Sequence, residues 1–167
     1  MKRALTGMWI ATVCLALLSS GLNAAPSLKD FTWVLPGEVS LGLVHLNDST
    51  APIIFQPPTL YSMRGLAHTQ TMFYVQGTPE KNVEIDTTNF IIEQNGETLS
   101  AAPTNIRHFE RGKVAVPKGD RIEGVLTFAK MVNVSQPFTV KHGDASVKVK
   151  FSSDQIKAAT PAAAEPK

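Results

Sequence analysis

From Pro26 onward, apolar and polar residues alternate with a period of two, the spacing of strands whose two faces see different surroundings. The pattern is clearest near the end of the chain. Phe138, Val140 and His142 share one face with Thr139 and Lys141 on the other; after Gly143-Asp144, Val147, Val149 and Phe151 alternate with Ser146, Lys148 and Lys150. Two such runs around a Gly-Asp turn predict a hairpin with a buried apolar face and a solvated lysine face. Upstream, Pro117-Lys118-Gly119-Asp120 is a turn signal that starts a strand in which Ile122, Leu126 and Phe128 alternate with Glu123 and Thr127. Gly124 falls on the inward face of that strand, where a backbone or a large side chain is expected to approach closely. Asn89–Glu93 runs into Asn95-Gly96, a hairpin signal because both central residues need positive φ.

Thr69 to Val75 carries apolar residues at Met72, Phe73, Tyr74 and Val75, on both faces, and predicts a central strand covered from two sides. Weaker strand-like runs precede it: Phe31 to Leu35, Val39 to Leu46, Ile53 to Gln56 and Leu60 to Leu66. Pro57-Pro58 between the last two argues for an edge or a crossover. No ten-residue window sustains a helical stripe; the one helical turn expected is Ser153 to Ala159, followed by an Ala/Pro tail with nothing to bury. Roughly eight to ten short strands with frequent turns predict an all-β, antiparallel sandwich. Its core is expected to comprise Phe73, Val75, Phe90, Ile92, Leu126, Phe128, Phe138, Val140, Val147, Val149 and Phe151.

The head of the chain follows another logic. Met1-Lys2-Arg3 is basic, Ala4 to Leu18 is apolar, and Leu22-Asn23-Ala24-Ala25 supplies small residues for a peptidase. Residues 1–25 therefore read as a secretory signal peptide, 26–152 as the β domain, and 153–167 as a helical turn and disordered tail. The apolar run is shorter than the ~20 residues that span a bilayer, so no membrane span is expected after cleavage. Cys14, the only cysteine, sits inside the run behind Val13, a poor context for lipid anchoring. The mature chain would then lack thiols, which removes disulfides, thiol nucleophiles and Cys-based zinc sites. With Lys2 and Arg3 set aside, the sixteen basic residues fall to fourteen, matching fourteen acidic ones. A neutral, unclustered charge pattern argues against nucleic acid.

From Ala67 to Ser152 the order of a long apolar strand (Thr69–Val75), a strand with an Asn-Gly turn (Asn89–Gly96), a Lys-Gly-Asp turn feeding Glu123–Phe128, and a hairpin ending at Phe151 resembles the small immunoglobulin-like domain of secreted bacterial antigens and lipoproteins of unknown function. The resemblance covers about half of the chain. It implies an immunoglobulin-like sandwich with a binding or structural task, and it carries no catalytic residue.

Candidate chemistry is sparse. Met63, His68 and Met72 form the tightest group of soft ligands in a setting that suits copper. On one straight strand, however, residues four apart such as His68 and Met72 lie about 13 Å apart, too far for one ion. The carboxylates of Glu84 and Asp86 straddle Ile85, but such a pair more often solvates a strand edge than performs acid–base work. Gly-x-Ser-x-Gly elbows and Gly-rich phosphate loops are absent from the sequence. Trp33 reads as a core anchor. Asn47 and Asn133 match the N-glycosylation pattern, which matters only in a eukaryotic source. The segment Asn105–Arg111 mixes apolar and charged groups between turns, and Arg107, His108 and Arg111 are the candidate partner-binding residues. The expectation is a non-catalytic binding or assembly module of the bacterial envelope, periplasmic or secreted, without a cofactor and with an unidentified protein or envelope partner. A periplasmic copper-binding protein and a small envelope hydrolase are the alternatives.

Overall fold

The computed structural model describes residues 27–160; residues 1–26, on which the signal-peptide expectation falls, and residues 161–167, on which the expected disordered tail falls, lie outside it. Its strands are β1 (Thr32–Leu35), β2 (Leu41–His45), β3 (Thr71–Gly77), β4 (Val83–Asp86), β5 (Phe90–Gln94), β6 (Glu97–Arg107), β7 (Lys113–Val116), β8 (Ile122–Phe128), β9 (Phe138–His142) and β10 (Ala145–Val149). Eight of them form one antiparallel sheet in the order β1-β2-β3-β8-β6-β5-β9-β10, while β4 and β7 pair separately. The chain is thus all-β in its core. The sheet curls on itself, and β6 serves two ladders in succession. Its first part, Glu97–Ser100, pairs with β5, and from Ala101 to Arg107 it pairs with β8.

The curl brings the two edge strands, β1 and β10, side by side without a hydrogen-bonded ladder between them. Aromatic packing closes this seam. The Phe151 ring lies 5.0 Å from Trp33, 5.1 Å from His45, and 6.2 Å from both Phe31 and Phe138. Inside the curl, Phe73, Leu126, Phe128, Phe138 and Val140 are essentially inaccessible. The core expected from alternation is buried with one correction: Val147 is only half-buried, because β10 has a ladder neighbour on one side alone.

The strand turns follow their sequence signals. Asn95 and Gly96 adopt φ of 51° and 80°, the two positive values a tight Asn-Gly hairpin requires. Val147 pairs Val140 and Val149 pairs Phe138 across the Gly143-Asp144 turn. Ser152 caps the helix Ser153–Ala159 by accepting from Gln155 N at 3.3 Å, where the sequence places a helical turn.

Two expectations are corrected. The runs Ile53 to Gln56 and Leu60 to Leu66 are not strands: the first begins in helix α1 (Ala51–Ile54) and leaves it at Phe55, and the second lies in α2 (Thr59–Ala67), so the terminal turn, α3 (Ser153–Ala159), is not the only helix. Leu60, Met63 and Ala67 turn toward the core from α2, an i, i+3, i+7 stripe too short to stand out against Tyr61 and Leu66, which face solvent. This helix pair is also the second cover over β3. Phe73 and Val75 face the interior, whereas Tyr74 on the outer face meets Phe55, just after α1, edge-on at 6.2 Å. Burial of both faces of β3 was thus readable from its sequence, but the outer layer is helical.

Candidate binding cleft and its surroundings

The segment carrying Arg107, His108 and Arg111 is held from below. Phe109 is fully buried, 5.9 Å from the Phe90 ring, and sits directly on Gly124 of β8. A Cβ at position 124 would fall 2.0 Å from Phe109 Cδ1, so the close approach expected at this glycine is met by that ring. The backbone around it is tied in place: Phe109 N donates to Asn105 Oδ1 at 3.0 Å, and buried Thr87 donates through Oγ1 to Glu110 O at 2.6 Å while accepting from Gly112 N at 3.0 Å. His108 takes φ of 50° and meets Asp120 at 3.3 Å. Arg107 and Arg111 are exposed, and neither has an ion-pair partner among the described residues. The loop is therefore a fixed platform with two free guanidiniums.

Arg107 stands opposite Glu123 in the β6–β8 register. Glu123 accepts a short hydrogen bond from Tyr74 Oη and pairs with Arg121 at 2.9 Å. Burial, reinforced by Glu123, pushes the Tyr74 phenol up to about 12. This chain of side chains fastens the outer face of β3 to β8.

The copper candidates are placed apart in role. His68 follows α2 and directs Nε2 at both Asp48 carboxylate oxygens, 3.1 Å each, with Arg64 Nε on the same carboxylate at 3.0 Å. Burial alone would raise the Asp48 carboxyl, but His68 and Arg64 outweigh it and hold it below the usual range. A carboxylate only accepts, so Nε2 donates its proton toward Asp48. Met72 is buried on β3 and Met63 is half-buried against the core, where both fill apolar space. Asp86, one of the paired carboxylates, is engaged as a turn acceptor from Thr88 N at 3.0 Å and Thr88 Oγ1 at 2.6 Å, bonds that hold it below the usual carboxylate range. Glu84 pairs with Lys113 at 3.1 Å. Asn47 is buried, and its Oδ1 accepts from Ser49 N and Thr50 N. Trp33 is half-buried at the seam.

A feature that no single stretch of sequence announces lies at one end of the seam. The β1–β2 turn, the β9–β10 turn and β4 enclose a cleft of about 270 Å³. Its floor is apolar, formed by Leu35, Val39, Leu41, Ile85 and Ala145, and Glu38, Glu84 and Asp144 stand among its lining residues. His142 forms part of the wall. It stacks on Phe90 at 4.3 Å and donates Nε2–H to Asp86 O at 2.9 Å, so its ring is immobilised. The two turns were visible as Pro36-Gly37 and Gly143-Asp144; that they meet follows only from the curl of the sheet. A shallower groove continues from the β1–β2 turn past Thr78 to Gln76 and Arg121.

No family model matches the chain, and the comparisons with curated proteins and with solved structures likewise return no match. Among the described residues no helix is long and apolar enough to cross a membrane.

Proposed function

We propose that residues 26–152 form an exported, non-catalytic binding or assembly module of the bacterial envelope, built on a curled relative of the immunoglobulin-like sandwich. The observation that supports this reading best is the cleft at the end of the β1–β10 seam: an apolar floor, open to solvent, on a curled antiparallel sheet. The other polar clusters of the domain tie its own strands and loops together. Asp86 closes a turn, Thr87 pins a loop, and Tyr74–Glu123–Arg121 ties two strands together. The cleft, about 270 Å³ and open to solvent, has room for a side chain of a macromolecular partner.

The test is photocrosslinking in intact cells from a benzoylphenylalanine at Ala145, with the same group at Thr98, an exposed position on β6, as control. A discrete adduct from position 145, absent from position 98, is expected. Identical patterns from both positions refute the reading. Recovery of the protein with its leader intact in the cytosol refutes the export half of it.

A further inference from the structure

We infer that the cleft receives a lysine or arginine side chain from an extended segment of an exported polypeptide, its aliphatic stem on the apolar floor and its cation at the carboxylate rim. This rests on the binding reading above and goes on to name the occupant. Three observations combine. First, Leu35, Val39, Leu41, Ile85 and Ala145 present an apolar trough with room for a long side chain. A Lys or Arg stem covers such a surface while its charged head stays in water. Second, the lining carries three carboxylates and no lysine or arginine. Asp144 has no ion-pair partner among the described residues, and the partners of Glu38 and Glu84 are surface lysines. Lys81 lies 3.3 Å from Glu38 with both side chains about two-thirds exposed (65% and 69%), and Lys113 lies 3.1 Å from Glu84. Exposed pairs of this kind contribute little and yield readily to a better-placed cation. Third, the cleft lies where the ends of two edge strands, β1 and β10, come together, and it is open to solvent for an extended chain lying across it. Charge complementarity then sets which side chain enters.

Calorimetric titration of the mature protein tests this with three pentapeptides, acetyl-Ser-Thr-X-Thr-Ser-amide, where X is arginine, citrulline or leucine. The arginine peptide is expected to bind in the range of about 0.1–1 mM, and citrulline, its uncharged isostere, to lose about tenfold. The double variant E84Q/D144N should weaken the arginine peptide by a similar factor and remove most of its salt dependence. Both substitutions are at exposed positions, and asparagine suits the Gly-Asp turn, so an unchanged Tm confirms an intact fold. Equal binding of arginine and citrulline, or indifference to E84Q/D144N, overturns the inference. Selective binding of the leucine peptide overturns it too, while leaving the binding reading intact. Failure of all three peptides to bind at about 1 mM also overturns it. So does rim-dependent dimerisation in sedimentation, which would make the occupant a second copy of this chain.

Discussion

Replacing Gly124 by alanine places a methyl carbon 2.0 Å from Phe109 Cδ1, 2.4 Å from Cγ and 2.8 Å from Cβ. These atoms belong to the root of the ring and not to a flexible tip. Phe109 is fully buried, and its backbone is held by Asn105 while the carbonyl of its neighbour Glu110 is held by Thr87, so the ring cannot retreat without releasing the 105–112 segment. Overpacking in a tight core costs about 1–3 kcal/mol, and complete expulsion of a buried phenylalanine about 3–5 kcal/mol. G124A is therefore expected to lose about 3 kcal/mol, with the second figure as ceiling. F109A alone should lose about 3–5 kcal/mol. In the double variant the new methyl group enters the space the ring has left, and alanine is favoured over glycine in a strand by about 0.5–1 kcal/mol. The pair should consequently be no less stable than F109A, with a coupling energy of about 3 kcal/mol. Urea denaturation of the four proteins reads this from the midpoints at constant m-value. Additivity within about 0.5 kcal/mol would refute the claim that glycine is present at 124 to admit that ring.

Three further outcomes follow from groups already placed. His45 is buried, its Nδ1 has no partner, and desolvation lowers its pKa from 6.5 to about 4. The unfolded chain then binds the proton first as pH falls, so stability is full above about 6.5 and is lost toward 4; from pH 7 to pH 5 denaturation should show a loss of about 2 kcal/mol that H45F abolishes. E123Q should let the Tyr74 phenol ionise below its present value of about 12, read by ultraviolet absorbance titration, while Y74F costs about 1–2 kcal/mol. T87V leaves Gly112 N and Glu110 O without their hydroxyl partner; a loss of about 1–3 kcal/mol and faster proteolysis between Arg107 and Gly112 are expected, and an unchanged digestion rate would show that the Thr87 hydroxyl is not needed to hold the loop.

The local features of this fold were legible because single-strand alternation and turn chemistry carry them. The β9–β10 hairpin, the Asn95-Gly96 turn and the inward position of Gly124 each need only neighbours in sequence. The identity of the side chain over Gly124 did not emerge, since Phe109 reaches it from another strand's end across a β-bulge at Asn105–Arg107. The α1–α2 pair escaped because the inward stripe of α2 is three residues long and its solvent face retains Tyr61 and Leu66, so helical and strand periods compete. The candidate loop was identifiable as a charged segment between turns, though not its pinning by Thr87. The cleft was invisible for a different reason. It is assembled from three separate stretches that become neighbours only when the sheet has curled far enough for its first and last strands to meet.

The passage of β6 from one ladder into the other has a mechanical consequence. In a sandwich whose layers are joined only by connecting loops, the halves can slide or part by giving up side-chain contacts alone. Here the ladder runs on through Ser100 and Ala101 from β5 to β8, so any shear between the two ends of the sheet loads main-chain hydrogen bonds on both sides of that junction. Tension applied at one wall is thereby transmitted to the other through a single stretch of peptide backbone, and the domain resists or yields as one body.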